Sequence, residues 1–128
     1  MNLSAWDVIW PYDPGVEPPK PKLWVCVEPE QLWFLRINSN PAPGSIALPE
    51  ALHPFLARDS WLHCYGELIE TDEHELATLL GRQRIPERSG VVGQIATAVR
   101  AAALAAIRRS PQLAPATIRR IEAALRDP

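Results

Sequence analysis

The sequence has no apolar run of about 18 residues, the length that a membrane-spanning helix needs. It also lacks an N-terminal basic stretch followed by an apolar segment, so we predict neither a signal peptide nor a membrane partner. Its only two cysteines, Cys26 and Cys64, show no CxxC or CxxH spacing. We therefore expect two buried thiols rather than a disulfide or a metal pair, and a reduced, cytoplasmic setting.

Net charge is small but unevenly distributed. The chain has 128 residues, is 47% hydrophobic and 22% charged, and carries a net charge of −2, which favours one globular domain over residues 1–128. Residues 1–80 hold four basic against twelve acidic side chains, a balance of −8, and residues 81–128 hold nine arginines against three acids, a balance of +6. This asymmetry is typical of a surface for nucleic acid or an acidic partner, although packing of the basic part on the acidic body would also explain it.

Two short apolar runs, residues 23–27 and 32–37, stand out in the first half. An acidic, proline-containing turn separates them, which predicts a β-hairpin. Both runs are apolar at nearly every position, as is typical of strands covered on both faces in a sandwich or barrel. The second run ends in the polar turn of residues 38–41, and we expect any chemistry to lie at that mouth of the hairpin.

The remaining pattern changes from strands to helices along the chain. Ten of the fourteen prolines lie in the first 54 residues, which restricts that half to short strands and turns. We predict further strands at 6–10, 46–48 and 60–65, with a possible continuation after 66 and a long loop at 12–21. From residue 71 the apolar period becomes about 3.6, which predicts helices over residues 72–80, 86–108 and 115–126. The fold class is therefore α+β, a small β-barrel of five to six strands in 1–70 followed by a helical part in 71–128.

The order of these segments resembles the PemK/MazF toxin family. Residues 7–10, the proline-rich loop and Lys20-Pro21 are similar to that family's first strand and its loop ending in Arg-Pro. Residues 37–39 fall where the family has Ile-Thr-Ser, and residues 46–49 and 59–64 resemble its next strands. The resemblance covers roughly residues 5–107. It implies an SH3-like barrel, a homodimer and sequence-specific cleavage of single-stranded RNA, neutralised by an antitoxin; residues 115–126 form an extra helix beyond the family pattern.

This chain departs from the family at three positions that matter. Lys20, or alternatively Lys22, stands in place of the loop arginine that the family uses for acid catalysis and phosphate binding. Asn38 replaces the catalytic threonine, and the neighbouring Ser39 supplies a hydroxyl. Trp6 stands where the family has a glycine in its first strand. The resemblance therefore implies Lys20, Lys22, Asn38 and Ser39 as candidate catalytic residues.

Metal-independent RNA cleavage also needs a proton-transfer group beside groups that stabilise the phosphorane. His63 is our candidate, because imidazole titrates near neutral pH, and His53 is the other nearby histidine. We expect Lys20 and Lys22, together with Arg36 and Arg58, to bind RNA. No metal ion or other cofactor is predicted.

Each candidate residue also has a plainer explanation. Lysines solubilise a proline-rich loop, Asn and Ser stabilise turns, and a strand histidine can simply face solvent. We therefore keep two hypotheses. The first is an endoribonuclease toxin of a type II toxin–antitoxin system, with an antitoxin and single-stranded RNA as partners. The second is a catalytically inactive toxin-like barrel that binds protein or nucleic acid. Five tryptophans in a small chain further favour a homodimer.

Overall fold

The computed structural model describes residues 2–126 and has an α+β fold. Its core is a curled antiparallel sheet that forms a half-barrel, and three helices pack around it. The predicted fold class, a small barrel with C-terminal helices, is confirmed; residues 127 and 128 of the predicted helical part lie outside the described residues. The strands are β1 (Asp7–Ile9), β2 (Tyr12–Asp13), β3 (Lys20–Pro21), β4 (Trp24–Glu28), β5 (Trp33–Asn38), β6 (Ser45–Leu48), β7 (Ser60–His63), β8 (Ile69–Glu70) and β9 (Val91–Gln94). The helices are α1 (Glu73–Gly81), α2 (Thr97–Arg108) and α3 (Pro115–Arg126).

The β4–β5 hairpin lies at the centre of the sheet, as predicted. The strand order is β6-β7-β5-β4-β1-β9, and all of these neighbours are antiparallel. Strand β5 pairs with β4 over most of its length, with β8 at its start and with β7 at its end. Because β5 has different partners at its two ends, the sheet curls around it, and Asn38 at its end lies at the open mouth. Strands β2 and β3 form a separate two-residue ladder within the predicted loop.

Both faces of the hairpin are covered, which explains its nearly continuous apolar sequence. Val25 and Val27 belong to a core shared with α2 and α3, whereas Trp24 and Cys26 belong to a second core shared with α1. Successive residues of a strand point to opposite faces, so each needs its own apolar cover. Helix α3 contacts β4 and α2, and Trp6 Nε1 donates to the Leu125 carbonyl at 3.1 Å.

The predicted helix over residues 86–108 is wrong in its first part. Pro86–Arg88 form a short 3-10 turn, β9 follows, and α2 begins only at Thr97. The apolar spacing fits a helix, but Gly90, Gly93 and two valines disfavour one, and β9 gives the outer edge of β1 its hydrogen-bond partners. A Cβ at position 93 would overlap the ring of Phe55, so the strand also depends on glycine for its close approach. Residues 91–94 thus complete a sheet whose other strands precede residue 71.

The tryptophans differ in how far one chain covers them. Trp6 and Trp24 are 1% exposed, whereas Trp10, Trp33 and Trp61 are half-buried. Two of the five therefore need no second subunit for their burial, and the homodimer stays a prediction. None of the helices between residues 2 and 126 has the length and hydropathy of a membrane-spanning segment.

We predict that both cysteines are unreactive in the folded protein. Cys26 and Cys64 are free and buried, as expected, and burial raises the pKa of each thiol to about 12. Because the thiolate is the reactive form, neither residue should react with Ellman's reagent until the protein unfolds. The measurement is reagent uptake with and without denaturant at mildly alkaline pH. Rapid native-state labelling of either thiol would contradict the buried placement.

Candidate functional site

A groove of about 630 Å³ opens at the mouth of the half-barrel, where β5 ends. One wall comes from β3 and the residues after it, the floor from the end of β5, and the other wall from the segment before β7. We call it the mouth groove. Its polar and charged lining consists of Lys20, Lys22, Asn38, Ser39, Arg58, Ser60 and Arg88. Four of these side chains are cationic, and none of the described lining residues is acidic, so the groove is suited to an anionic ligand.

A hydrogen-bonded chain of three side chains lies along this mouth. Lys22 Nζ donates to Asn38 Oδ1 at 2.6 Å, and Asn38 Nδ2 donates to His63 Nδ1 at 3.0 Å. His63 Nε2 in turn donates to the carbonyl of Asn40 at 2.9 Å. The β5–β7 pairing, in which Asn38 lies opposite Trp61, brings His63 to this position. The structure thus brings together three residues that the sequence separates.

The hydrogen bonds also define the state of the His63 ring. A carbonyl can only accept, so Nε2 carries the proton that goes to Asn40. Lys22 can only donate, so it fixes the Asn38 oxygen towards itself and turns the Asn38 amide nitrogen towards His63. His63 Nδ1 must then accept, and the ring is the neutral Nε2–H form. Both ring nitrogens are consequently engaged within the protein.

Lys22 carries its charge in a partly desolvated site. The side chain is half-buried, and burial together with repulsion from Lys20 lowers the pKa of Lys22. Both effects penalise the ammonium form, and a bound anion would offset both. An ammonium group has three N–H bonds, and only one of them is used by Asn38. The others can be directed at a ligand in the groove.

Arg36 does not line the mouth groove. It holds the β2–β3 segment, which forms one side of the groove, against the central hairpin. Its Nε donates to Asp13 Oδ2 at 2.6 Å and its Nη2 to Asp13 Oδ1 at 3.0 Å. Trp24 Nε1 and the Gly15 backbone N–H donate to the same carboxylate, both at 2.9 Å. Burial alone would raise the pKa of Asp13, but these hydrogen bonds outweigh it and lower that pKa below its ordinary value of 3.8. The buried carboxylate therefore anchors the loop between β2 and β3 to the central hairpin.

Most sequence-predicted candidates converge on one place. Lys20, Lys22, Asn38, Ser39 and Arg58 all line the mouth groove, and His63 reaches it through Asn38. The sequence prediction missed Arg88 and Trp10, which also line it. The signal for Arg88 was indirect, since the excess of arginine after residue 81 indicated a basic surface without locating it.

His53 has a structural role outside the groove. It is completely buried, its Nδ1 donates to the Pro49 carbonyl at 2.8 Å, and its Nε2 accepts from the Ala96 N–H at 3.0 Å. These bonds connect the end of β6 to the start of α2. Among residues 2–126, no group of three or more His, Cys, Asp or Glu side chains is placed to hold a metal ion.

Trp6 has an unusual backbone conformation, with φ at 74°. This left-handed region favours glycine and costs other residues roughly 1–2 kcal/mol. The buried indole and its hydrogen bond to Leu125 compensate here. The position is the one at which the PemK/MazF family has glycine.

No family model matches the chain, and no curated protein shows significant similarity to it.

Proposed function

We propose that this protein binds single-stranded RNA in the mouth groove and cleaves it without a metal ion, as a toxin of the PemK/MazF type. The observation that carries the proposal is the lining of the groove, where four cationic side chains surround the Asn38–Ser39 turn and no described lining residue is acidic. A nucleic-acid backbone is the polyanion that such a groove accommodates most readily. A flexible single strand can also present one phosphate to the loop and the turn at once.

Each side chain has a distinct role in this proposal. Lys22 donates its remaining N–H bonds to a non-bridging phosphate oxygen and stabilises the charge that develops on it. The exposed Ser39 hydroxyl orients the same phosphate. Lys20 and Arg58, on opposite walls, neutralise that phosphate and its neighbours.

The reaction is attack of the ribose 2′-oxygen on the adjacent phosphorus. The bond between phosphorus and the 5′-oxygen breaks, which yields a 2′,3′-cyclic phosphate and a free 5′-hydroxyl. The 2′-hydroxyl loses one proton and the leaving 5′-oxygen gains one, so the site must both accept and donate a proton. His63 can accept this proton at Nδ1 when Asn38 turns its amide towards the RNA, and Lys22 can donate one.

A second candidate function is RNA binding without cleavage. It is favoured by the engagement of both His63 ring nitrogens, which leaves no free base beside the phosphate. The lysine and asparagine that replace the family's arginine and threonine favour it as well, because a lysine lacks the two-pronged geometry of a guanidinium. The two candidates share the groove and differ only in the chemical step.

The partners follow from the same resemblance. We propose an antitoxin that neutralises the protein and a homodimer as its working form. The left-handed Trp6, at a position where the family has glycine, supports the alignment on which these partners depend. Half-buried tryptophans and the exposed Val91 on the outer strand β9 support an interface between two copies.

The test is incubation of the purified protein with a long single-stranded RNA in excess EDTA. We expect fragments that end in 2′,3′-cyclic phosphate and begin with a 5′-hydroxyl. Intact RNA together with saturable binding would select the second candidate. If the protein neither cleaves nor binds the RNA, RNA is not its ligand.

A further inference from the structure

A second groove, of about 540 Å³, continues from the mouth groove. The two share Trp10, Lys20, Pro21 and Arg88, so they are adjacent and one extended chain can contact both. The remaining lining comes from Tyr12, Pro19 and the connection after α1. We call it the arginine groove because Arg82, Arg84 and Arg88 line it beside Lys20. None of its described lining residues is acidic.

Two arginines in this groove lie over aromatic rings. Arg82 Cζ is 3.7 Å from the centroid of the Tyr12 ring, and Arg88 Cζ is 4.0 Å from the centroid of a Trp10 ring. Gln83 Nε2 donates to the Trp10 carbonyl at 2.9 Å and fixes the intervening segment to the sheet. The rings hold the guanidinium groups in place, so less conformational entropy is lost when these groups bind a ligand.

This arrangement matches the chemistry of nucleotides more closely than that of an acidic peptide. A guanidinium group forms paired hydrogen bonds to phosphate and also presents a plane on which a base can stack. An acidic peptide could pair its carboxylates with the same guanidinium groups, but it has no base to stack on their planes. Alternating cationic and aromatic groups along a groove are typical of single-strand binding.

We infer that the arginine groove holds the nucleotides that flank the phosphate bound in the mouth groove. This inference rests on the proposed function. The shared Lys20 lies at the junction, with Arg88 beside it, and Arg82 and Arg84 extend the path. The arginine groove then contributes to affinity for longer RNA and to the choice of flanking bases, whereas the Lys22–Asn38 site acts on the central phosphate.

The test compares short and long RNA probes by fluorescence anisotropy. The probes are 2′-O-methyl oligouridylates of about 4 and about 16 nucleotides, the span of known single-strand sites. Methylation removes the nucleophile, so binding is measured without cleavage. The variants are Arg82→Ala/Arg88→Ala and the charge-preserving Arg82→Lys/Arg88→Lys. Arg119→Ala is the control for loss of a cation outside the grooves, because Arg119 is exposed on α3 and lines neither groove.

The alanine pair should weaken binding of the long probe about 10- to 100-fold and remove most of the affinity that the wild type gains with length. The slope of the logarithm of its binding constant against the logarithm of the salt concentration should also become shallower by about 1.4, about 0.7 for each lost phosphate contact. The lysine pair keeps both positive charges, so it should retain the wild-type slope but lose affinity. Arg119→Ala should match the wild type in both.

Two results would overturn the inference while leaving the proposed function intact. The first is a long probe that binds the alanine pair and the wild type equally. The second comes from repeating the titration with polyglutamate as the probe. If the alanine pair loses binding of polyglutamate but not of RNA, the occupant is an acidic peptide. Absence of RNA binding by the wild type would instead remove the proposed function and the inference with it.

Discussion

Replacing Lys22 by alanine should lower the rate of RNA cleavage about 100-fold or more, the usual scale for losing one transition-state donor. The substitution removes the only cation that donates to Asn38 among the described residues, and with it the N–H bonds that remain available to a phosphate in the mouth groove. Ground-state binding should fall less than the rate, because Lys20, Arg58 and Arg88 remain. The measurement is kcat and KM on one defined RNA, with thermal unfolding to verify the fold.

Companion variants separate charge from geometry. Lys22→Arg keeps a cation and should retain part of the activity, whereas Lys20→Ala and Ser39→Ala should have smaller effects because both residues lie at the rim and are exposed. Arg119→Ala again serves as a control of equal charge change outside the groove. If Lys22→Ala, Lys20→Ala and Ser39→Ala all cut RNA as fast as the wild type, the active site is elsewhere.

The second large effect is expected at Asp13, which we predict to be the main polar anchor of the loop beside the groove. Asp13→Asn should lower the free energy of unfolding by about 3 kcal/mol, because it leaves the half-buried Arg36 without its counter-charge. Urea denaturation measures this directly. RNA binding should weaken in parallel, since asparagine keeps only one acceptor oxygen and the strand pair β2–β3 that carries Lys20 loses part of its attachment to Trp24 and Arg36.

A matched variant and a pH series test the same anchor. Asp13→Asn/Arg36→Met removes both charges and should recover much of the lost stability, because no buried charge is left unpaired. The folded pKa of Asp13 is lowered, so its contribution is complete above pH 3.8 and is lost as the pH falls through the folded value. Equal stability of wild type and Asp13→Asn at neutral pH would show that the ion pair contributes nothing.

The sequence predicted the parts of the fold that local patterns determine. Continuous apolar runs flanking a Pro-containing turn correctly located the central hairpin, and a proline at the first position located α3. The helix predicted from residue 86 failed because helical spacing of valines does not reveal that β1 has an open edge. That pairing joins Val8 to Gly93, far apart in the chain, and only tertiary structure supplies it.

The candidate site was predicted in composition but not in its connections. The family resemblance, with the polar turn after the hairpin, identified Lys20, Lys22, Asn38 and Ser39, all of which line one groove. The hydrogen bonds that engage both nitrogens of His63 depend on the β5–β7 register, which single-sequence patterns do not specify. The role of Arg36 as the partner of Asp13 was likewise invisible, because a charge pattern does not say which charges are buried together.

If the mouth groove is the RNA site, bound RNA must contact the residues that line it. We propose an NMR titration of labelled protein with a 2′-O-methyl oligouridylate, following backbone amides together with the side-chain amide of Asn38. We expect chemical-shift changes concentrated at Lys20, Lys22, Asn38, Ser39 and Arg58, with smaller ones at Arg82 and Arg88. Shifts confined to α3, or no shifts at saturating RNA, would contradict the assignment of the mouth groove as an RNA site.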